Sequence, residues 1–316
     1  MPQYTIGTFS FWDDTGTPVE EAIRCSSINL RSNAQTSSDD TGELYEQAHS
    51  LTAWLPEMEV TTKAIDRALN YIGIGGQCVG ASHAVTQCDA ITRALQTCKD
   101  SFSSSSHMRH RVGTGLLVPR TLSAPRNQDA TISFTLYCLS DDGINAPIVE
   151  NHAVSLPATV GGSRFRLGLC AIGGVEMPEL EDVQVAFNVE TTEFEPRLGG
   201  IWAESIGIRS VKPVITLRGR DISQVRSAVF PLGASAAAHA NTKIQLLKLA
   251  NSGSFVAAAT AEHVSITAAG MLVPDQLVSA SQGSRATNEM TLMAVDDGTN
   301  APLVVSVAAY DTTPAS

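Results

Sequence analysis

The chain is poor in most of what chemistry-bearing proteins rely on. Aromatic residues make up only 5% of its 316 positions, which argues against a pocket walled by rings. Lys and Arg number 21 against 32 Asp and Glu, a net charge of -11, and neither half of the chain is basic. That excludes a protein that grips nucleic acid through its phosphates. The acidic residues are scattered and read as a solvated surface, which would repel a DNA backbone and let it slide past. No apolar run approaches the roughly 18 residues of a membrane span, and Met1-Pro2-Gln3-Tyr4-Thr5 is not a basic stretch leading into an apolar core. Neither a membrane span nor a signal peptide is expected.

The six cysteines, at 25, 78, 88, 98, 138 and 170, form no Cys-x-x-Cys pair. They are expected to be reduced, small apolar residues, with no zinc or disulfide framework. Catalytic patterns are equally thin. His107-Met108-Arg109-His110 has metal-like spacing but no acidic partner in register, so a hydrogen-bonded or exposed loop histidine is the better reading. Gly73-Ile74-Gly75-Gly76-Gln77-Cys78-Val79-Gly80 lacks the lysine and the spacing of a phosphate loop and reads as a flexible connection. There is no Gly-x-Ser-x-Gly elbow and no recurring carboxylate pair. An enzyme, a metal site and a cofactor are therefore not expected. Trp12, Trp54 and Trp202 stand at unrelated places in the chain, which argues against a carbohydrate-stacking platform.

What the chain does have is an internal repeat. The segment 115–153 reappears without a gap as 270–308: Leu117-Val118-Pro119 against Leu272-Val273-Pro274, and Asp141-Asp142-Gly143-x-Asn145-Ala146-Pro147 against Asp296-Asp297-Gly298-x-Asn300-Ala301-Pro302. At the same spacing Val60-Thr61 meets Ile215-Thr216 and Lys63 and Asp66 meet Arg218 and Asp221. With small slips, His110 meets His263 and Ile6-Gly7 meets Leu167-Gly168. No cysteine has a counterpart. A long fixed period means one folding unit used twice. Two similar β domains are expected, 1–157 and 164–316, joined through Leu156-Pro157-Ala158-Thr159-Val160-Gly161-Gly162-Ser163.

The local patterns are mostly those of strands. Thr131–Leu139 and Met290–Val295 are β-rich and run into Asp-Gly pairs, which predict a closing hairpin in each half. Val183–Val189 alternates, and so does Val211–Leu217 around Pro213, a residue that suits an edge or a strand start. Helix is scarce: Thr62–Asn70, opening on a capping threonine, and its twin 221–226 predict one short flanking helix per half. Ala90–Cys98 has helical spacing but is read as strand, because its twin 244–249 looks like one.

A duplicated β unit without chemistry offers geometry, since two copies in one chain act as a pseudo-dimer and three chains can close a ring of six. The order of signals in each half is a strand pair, a Thr-x-[Lys/Arg] step into a helix, a Gly-[Leu/Met]-Leu-Val-Pro segment and an Asp-Asp-Gly turn. That order resembles the tail tube proteins of long-tailed bacteriophages, of the type with two units per chain. The resemblance implies β-sandwich or barrel domains that self-assemble into trimeric, pseudo-sixfold rings, contact other virion proteins and conduct DNA without binding it. It places the protein in the virion after synthesis in the host cytoplasm. The acidic segments 36–54 (Asp39, Asp40, Glu43, Glu46) and 191–202 (Glu193 and Glu195, with Glu190 just before) would then be arms reaching neighbouring subunits. The alternative is a capsid or capsid-decorating protein with two stacked β-sandwiches.

Overall fold

The computed structural model describes residues 4–13, 19–39, 48–94, 106–159, 163–192, 194–196, 198–220, 237–250, 252–282, 286–296, 298 and 301–311. The first half carries β1 (Tyr4–Asp13), β2 (Val19–Arg31), β3 (Ala34–Asp39), β4 (Ala48–Trp54), β5 (Glu57–Thr62), α1 (Ile65–Tyr71), β6 (Gln77–Val79), β7 (Val85–Ala94), β8 (His107–Val112), β9 (Thr114–Pro125), β10 (Thr131–Leu139) and β11 (Ile148–Val154). The second carries β12 (Arg164–Ile172), β13 (Val175–Glu176), β14 (Leu180–Ala186), β15 (Val189–Thr191), β16 (Glu195–Pro196), β17 (Ala203–Ser205), β18 (Ile208–Val211), β19 (Val214–Arg220), β20 (Ala237–Leu249), β21 (His263–Ser279), β22 (Thr287–Ala294) and β23 (Leu303–Ala308). Strand accounts for 65% of the described residues and helix for 3%, so the protein is mainly β.

Alternation explains the strands. In β5 the side chains of Met58, Val60 and Thr62 are buried while those between are half-exposed, the period-2 pattern of a sheet with one dry face. The pairing then follows one scheme twice. In the first half β1 pairs with β2 and β7, β2 with β5, β5 with β10, β10 with β9, β7 with β8 and β8 with β11. In the second, β12 pairs with β13 and β20, β14 with β19, β19 with β22, β22 with β21, and β21 with both β20 and β23. The single long β2 corresponds to β13 and β14 together, and β8 with β9 corresponds to the single long β21. Even an irregularity is repeated. Thr5 and Thr8 face Arg93 and Ile91, and Leu167 and Cys170 face Leu246 and Ile244, so each first strand bulges by one residue at its glycine, Gly7 or Gly168.

The first half closes on itself, because β6 bridges β9 and β7 and completes the ring β1-β2-β5-β10-β9-β6-β7. The second half runs around in the same order, β12 to β13 and β14, then β19, β22, β21 and β20, with Ala237 to His239 of β20 lying opposite Leu272 to Gly270 where the first half has β6. Its β14 also pairs with β9 of the first half, Asp182 to Ala186 lying opposite Pro125 to Thr121. The join at 157–164 therefore separates neither the hydrogen bonding nor the core. One cluster of buried side chains takes Phe9, Phe11 and Phe134 from the first half and Phe165, Phe187 and Leu292 from the second. The Phe9 and Phe11 rings meet edge to face at 5.1 Å, and Phe9 meets Phe134 at 5.3 Å.

Ionic contacts tie the halves where α1 meets the second half. The buried Asp66 carboxylate accepts from Ser163 Oγ at 2.6 Å and faces Lys248 Nζ at 3.6 Å. Asp129 accepts from Lys63 Nζ at 2.9 Å and from Nε and Nη2 of Arg164 at 3.0 Å, which holds its carboxyl below the usual carboxylate range. Helix α1 buries Ile65, Asp66 and Ala68 and packs on β10, β21 and β23. Thr62 is not its cap: Ala64 stands at the cap position, and the Thr62 hydroxyl accepts from Ala64 N at 3.1 Å while donating to Arg24 O at 2.7 Å. The expected twin helix, 221–226, lies outside the described residues.

The two Asp-Gly hairpins are not formed. Strand β10 has β5 on one edge and β9 on the other, so β11 has no free edge to return to and pairs with β8. In the second half β22 is likewise held between β19 and β21, and β23 pairs with β21. Asp142 instead closes a compact turn, its Oδ1 accepting from Ile144 N at 2.9 Å and Asn145 N at 2.8 Å, with Gly143 at φ 70°. These amides draw the Asp142 carboxyl down to about 2. Ala90 to Ala94 and 244–249 are strand in both copies, and Pro213 directly precedes β19.

The repeat also carries a glycine in matched positions for a packing reason. A Cβ on Gly115 would collide with the carbonyl oxygen of Tyr137, and one on Gly270 with that of Met293, whereas Gly113 has nothing within 4 Å. Gly115→Ala and Gly270→Ala are expected each to cost ~1–3 kcal/mol through the forced backbone shift. Gly113→Ala should stay within about 0.5 kcal/mol, as an exposed site does. Urea midpoints of the three variants measure this.

Candidate assembly surface

The arms are real hairpins in their described parts. Strands β3 and β4 form a two-stranded ribbon with Asp39 opposite Ala48. The corresponding segment of the second half is a two-tier ribbon, β15 with β18 and β16 with β17. Asp40, Glu43, Glu46 and Glu193 lie outside the described residues. Asp39 ends β3 and Glu195 pairs with Ser205 across the second ribbon. Glu190 is exposed on β15, where Ser210 Oγ donates at 2.6 Å and Lys212 Nζ at 3.2 Å, and its carboxyl lies below the ordinary value because of these bonds.

The two ribbons meet at their bases. The rings of Trp54 and Trp202 stack with centroids 4.4 Å apart and planes 14° from parallel. Trp54 N donates to Ile201 O at 2.7 Å, and Trp202 N donates to Gly143 O at 3.2 Å. Ser140 N donates to Ala203 O at 2.9 Å, while Leu55, Leu139 and Ala203 form a small apolar cluster beneath. The Asp-Asp-Gly turn of the first half thus seats the ribbon of the second. The tryptophans that stand apart in sequence are brought face to face, and each occupies a face of the other's ring, so they offer no open double platform for a sugar. Beside them lies a cleft of about 360 Å³ bounded by Leu30, Pro56, Pro147 and Ile148.

The sequence-singled histidines serve the sheet. His107 is on a strand, not a loop, and is buried, its Nδ1 accepting from Ala94 N at 3.0 Å. His263 does the same for Lys248 N at 3.0 Å, at the start of β21 as His107 is at the start of β8. By role the counterpart of His263 is therefore His107; His110 faces Glu150 at 3.4 Å. Trp12 is spent elsewhere, its Nε1 donating at 3.0 Å to the fully buried Asp89, which Arg111 also clasps with two bonds of 2.9 Å. The buried carboxylate is thereby paired with an arginine. Burial pushes the Cys25 and Cys170 thiols up to about 12, and Cys88 and Cys138 upward as well. Gly76 at φ 110° turns the chain into β6, so the glycine-rich segment ends in a strand. Among the described residues no group of three or more His, Cys, Asp or Glu could hold a metal ion, and no helix is long and apolar enough to cross a membrane.

Two outcomes follow. Burial and Arg93 lower the His107 pKa, so the neutral form, whose Nδ1 can accept, is favoured in the fold. The unfolded chain binds the proton more readily, and the stabilisation present above its ordinary value of about 6.5 is lost as pH falls below it. Urea midpoints should drop between pH 7.5 and 5.5, and the drop should be smaller in His107→Asn. Secondly, Trp54→Phe or Trp202→Phe should each abolish the tryptophan exciton couplet in circular dichroism while Trp12→Phe leaves it, with a loss of about 0.5–1.5 kcal/mol from the stack.

No model of a known protein family matches the chain, and no curated protein matches it.

Proposed function

We propose that the protein is a self-assembling structural subunit of a virion, forming the rings of a phage tail tube through which DNA passes. The observation that carries this reading is the repeated strand scheme with a two-stranded arm leaving each half at the same step, between β2 and β5 and between β14 and β19. A β unit with a short helix and a long hairpin, used twice in one chain, suits the resemblance to the duplicated tail tube type. Arms joined at their bases by stacked indoles leave the surface together and can reach the same neighbour. Three chains of two units each would give six equivalent positions around a ring. The net charge of -11 suits a channel that must not retain a phosphate backbone. Asp89, the most deeply buried carboxylate among the described residues, is paired with Arg111.

Negative-stain microscopy of the purified protein tests the reading: rings or tubes are expected, shells would turn it towards a capsid protein, and persistent monomer with enzymatic turnover would end it. Deleting 40–47, between the two strands of the first arm, should abolish stacking of rings and leave the melting temperature within a few degrees, since loop tips tolerate shortening. Tubes of normal length from that variant would show that the arm does not stack rings.

A further inference from the structure

The β9–β14 joint has two halves, and each of them recurs in this chain with no partner among the described residues. On β14, Asp182 to Ala186 has β19 on one edge and β9 on the other. The same stretch of the first repeat is Ser27 to Arg31 of β2. There β5 occupies one edge, β1 pairs only with Val19 to Arg24, and no described residue pairs with the other edge. On β9, Thr121 to Ala124 has β10 on one edge and β14 on the other. The same stretch of the second repeat is Gln276 to Ser279 of β21. There β22 occupies one edge, β20 stops pairing at Leu272, and no described residue pairs with what lies beyond.

We infer that copies of this chain associate head to tail by repeating that joint between molecules, β2 of one copy adding antiparallel to β21 of the next. The alignment of the repeats gives the register: Ile28 opposite Ser279, Asn29 opposite Val278, Leu30 opposite Leu277.

Side-chain burial supports the occupant. Val183 and Val185, which lie in the formed joint, are fully buried. Their counterparts are Ile28, half-buried, and Leu30, which is 44% exposed and borders the apolar cleft beside the stacked tryptophans. An apolar position that is dry in one copy of a repeat and wet in the other marks the surface that a further copy covers. An edge of this length to which no described residue pairs is also a template for strand addition, which a second copy of the same chain satisfies with backbone bonds it already makes internally. The two edges belong to different halves, so the contact is heterologous and propagates until a ring closes.

The inference rests on the self-assembly reading, and cysteine cross-linking separates the two. In full-length protein carrying Cys78→Ser and Cys98→Ser, Asn29→Cys is combined in turn with Leu277→Cys, Val278→Cys and Ser279→Cys. Under oxidation a ladder of covalent multimers is expected, strongest for the Val278→Cys pair. Assemblies in the microscope with no multimer from any pair would overturn the interface while self-assembly stands. Protein that never assembles would overturn both. As a second measurement, Leu30→Asp should weaken association by about tenfold or more with an unchanged melting temperature, as loss of a central apolar contact does. Association equal to that of the unaltered chain would also overturn the interface.

Discussion

Strand β9 serves two sheets, and most of the architecture follows from that. Its first residues pair with β6 to close the ring of the first half, and its last residues pair with β14, which has no other neighbour on that edge. Backbone amides and carbonyls must find partners when buried, and the second edge of β14 finds them on the first half. The shared hydrophobic cluster and the ion pairs around Asp66 and Asp129 are consequences of that proximity, since the strand pairing brings Ser163, Arg164 and Lys248 to carboxylates of the first half.

The repeated features are of two kinds, and physics separates them. Glycines 115 and 270 recur because a neighbouring carbonyl leaves no room for a side chain. The two buried histidines recur because each gives a backbone amide the acceptor that the strand end lacks. The cysteines do not recur, and none of the described ones does more than fill space among apolar neighbours or stand at the surface. The Asp-Asp-Gly turn recurs in sequence, and in the first half it has an added duty, holding the backbone of Trp202. That duty couples the two ribbons through a chemically bland turn.

Much of this was legible in the residues. Alternation in β10, β14 and β19 announced strands, and the spacing of Val60-Thr61 and Ile215-Thr216 placed β5 and β19 as equivalents. The short apolar stripe Ile65, Ala68, Leu69 located the helix. The Asp-Gly hairpins misled, because turn chemistry reports only how the chain bends locally. Whether two strands then pair depends on which edges are still free, and β10 had none. The histidine counterpart was misassigned by three residues for a related reason: identity of letters pointed to His110, whereas the hydrogen bond to the end of the neighbouring strand singles out His107.

The sequence by itself determined that the protein is mainly β, that one unit is used twice, and where its turns, strands and short helix fall, because these depend on residue type, period and local steric rules. Only the tertiary structure decided that the second unit joins its sheet to the first through β14 and β9, and that Trp54 and Trp202 share a stack. Those outcomes depend on which backbone groups remain unpaired after every local strand has formed, a property of the whole arrangement that no window of residues contains.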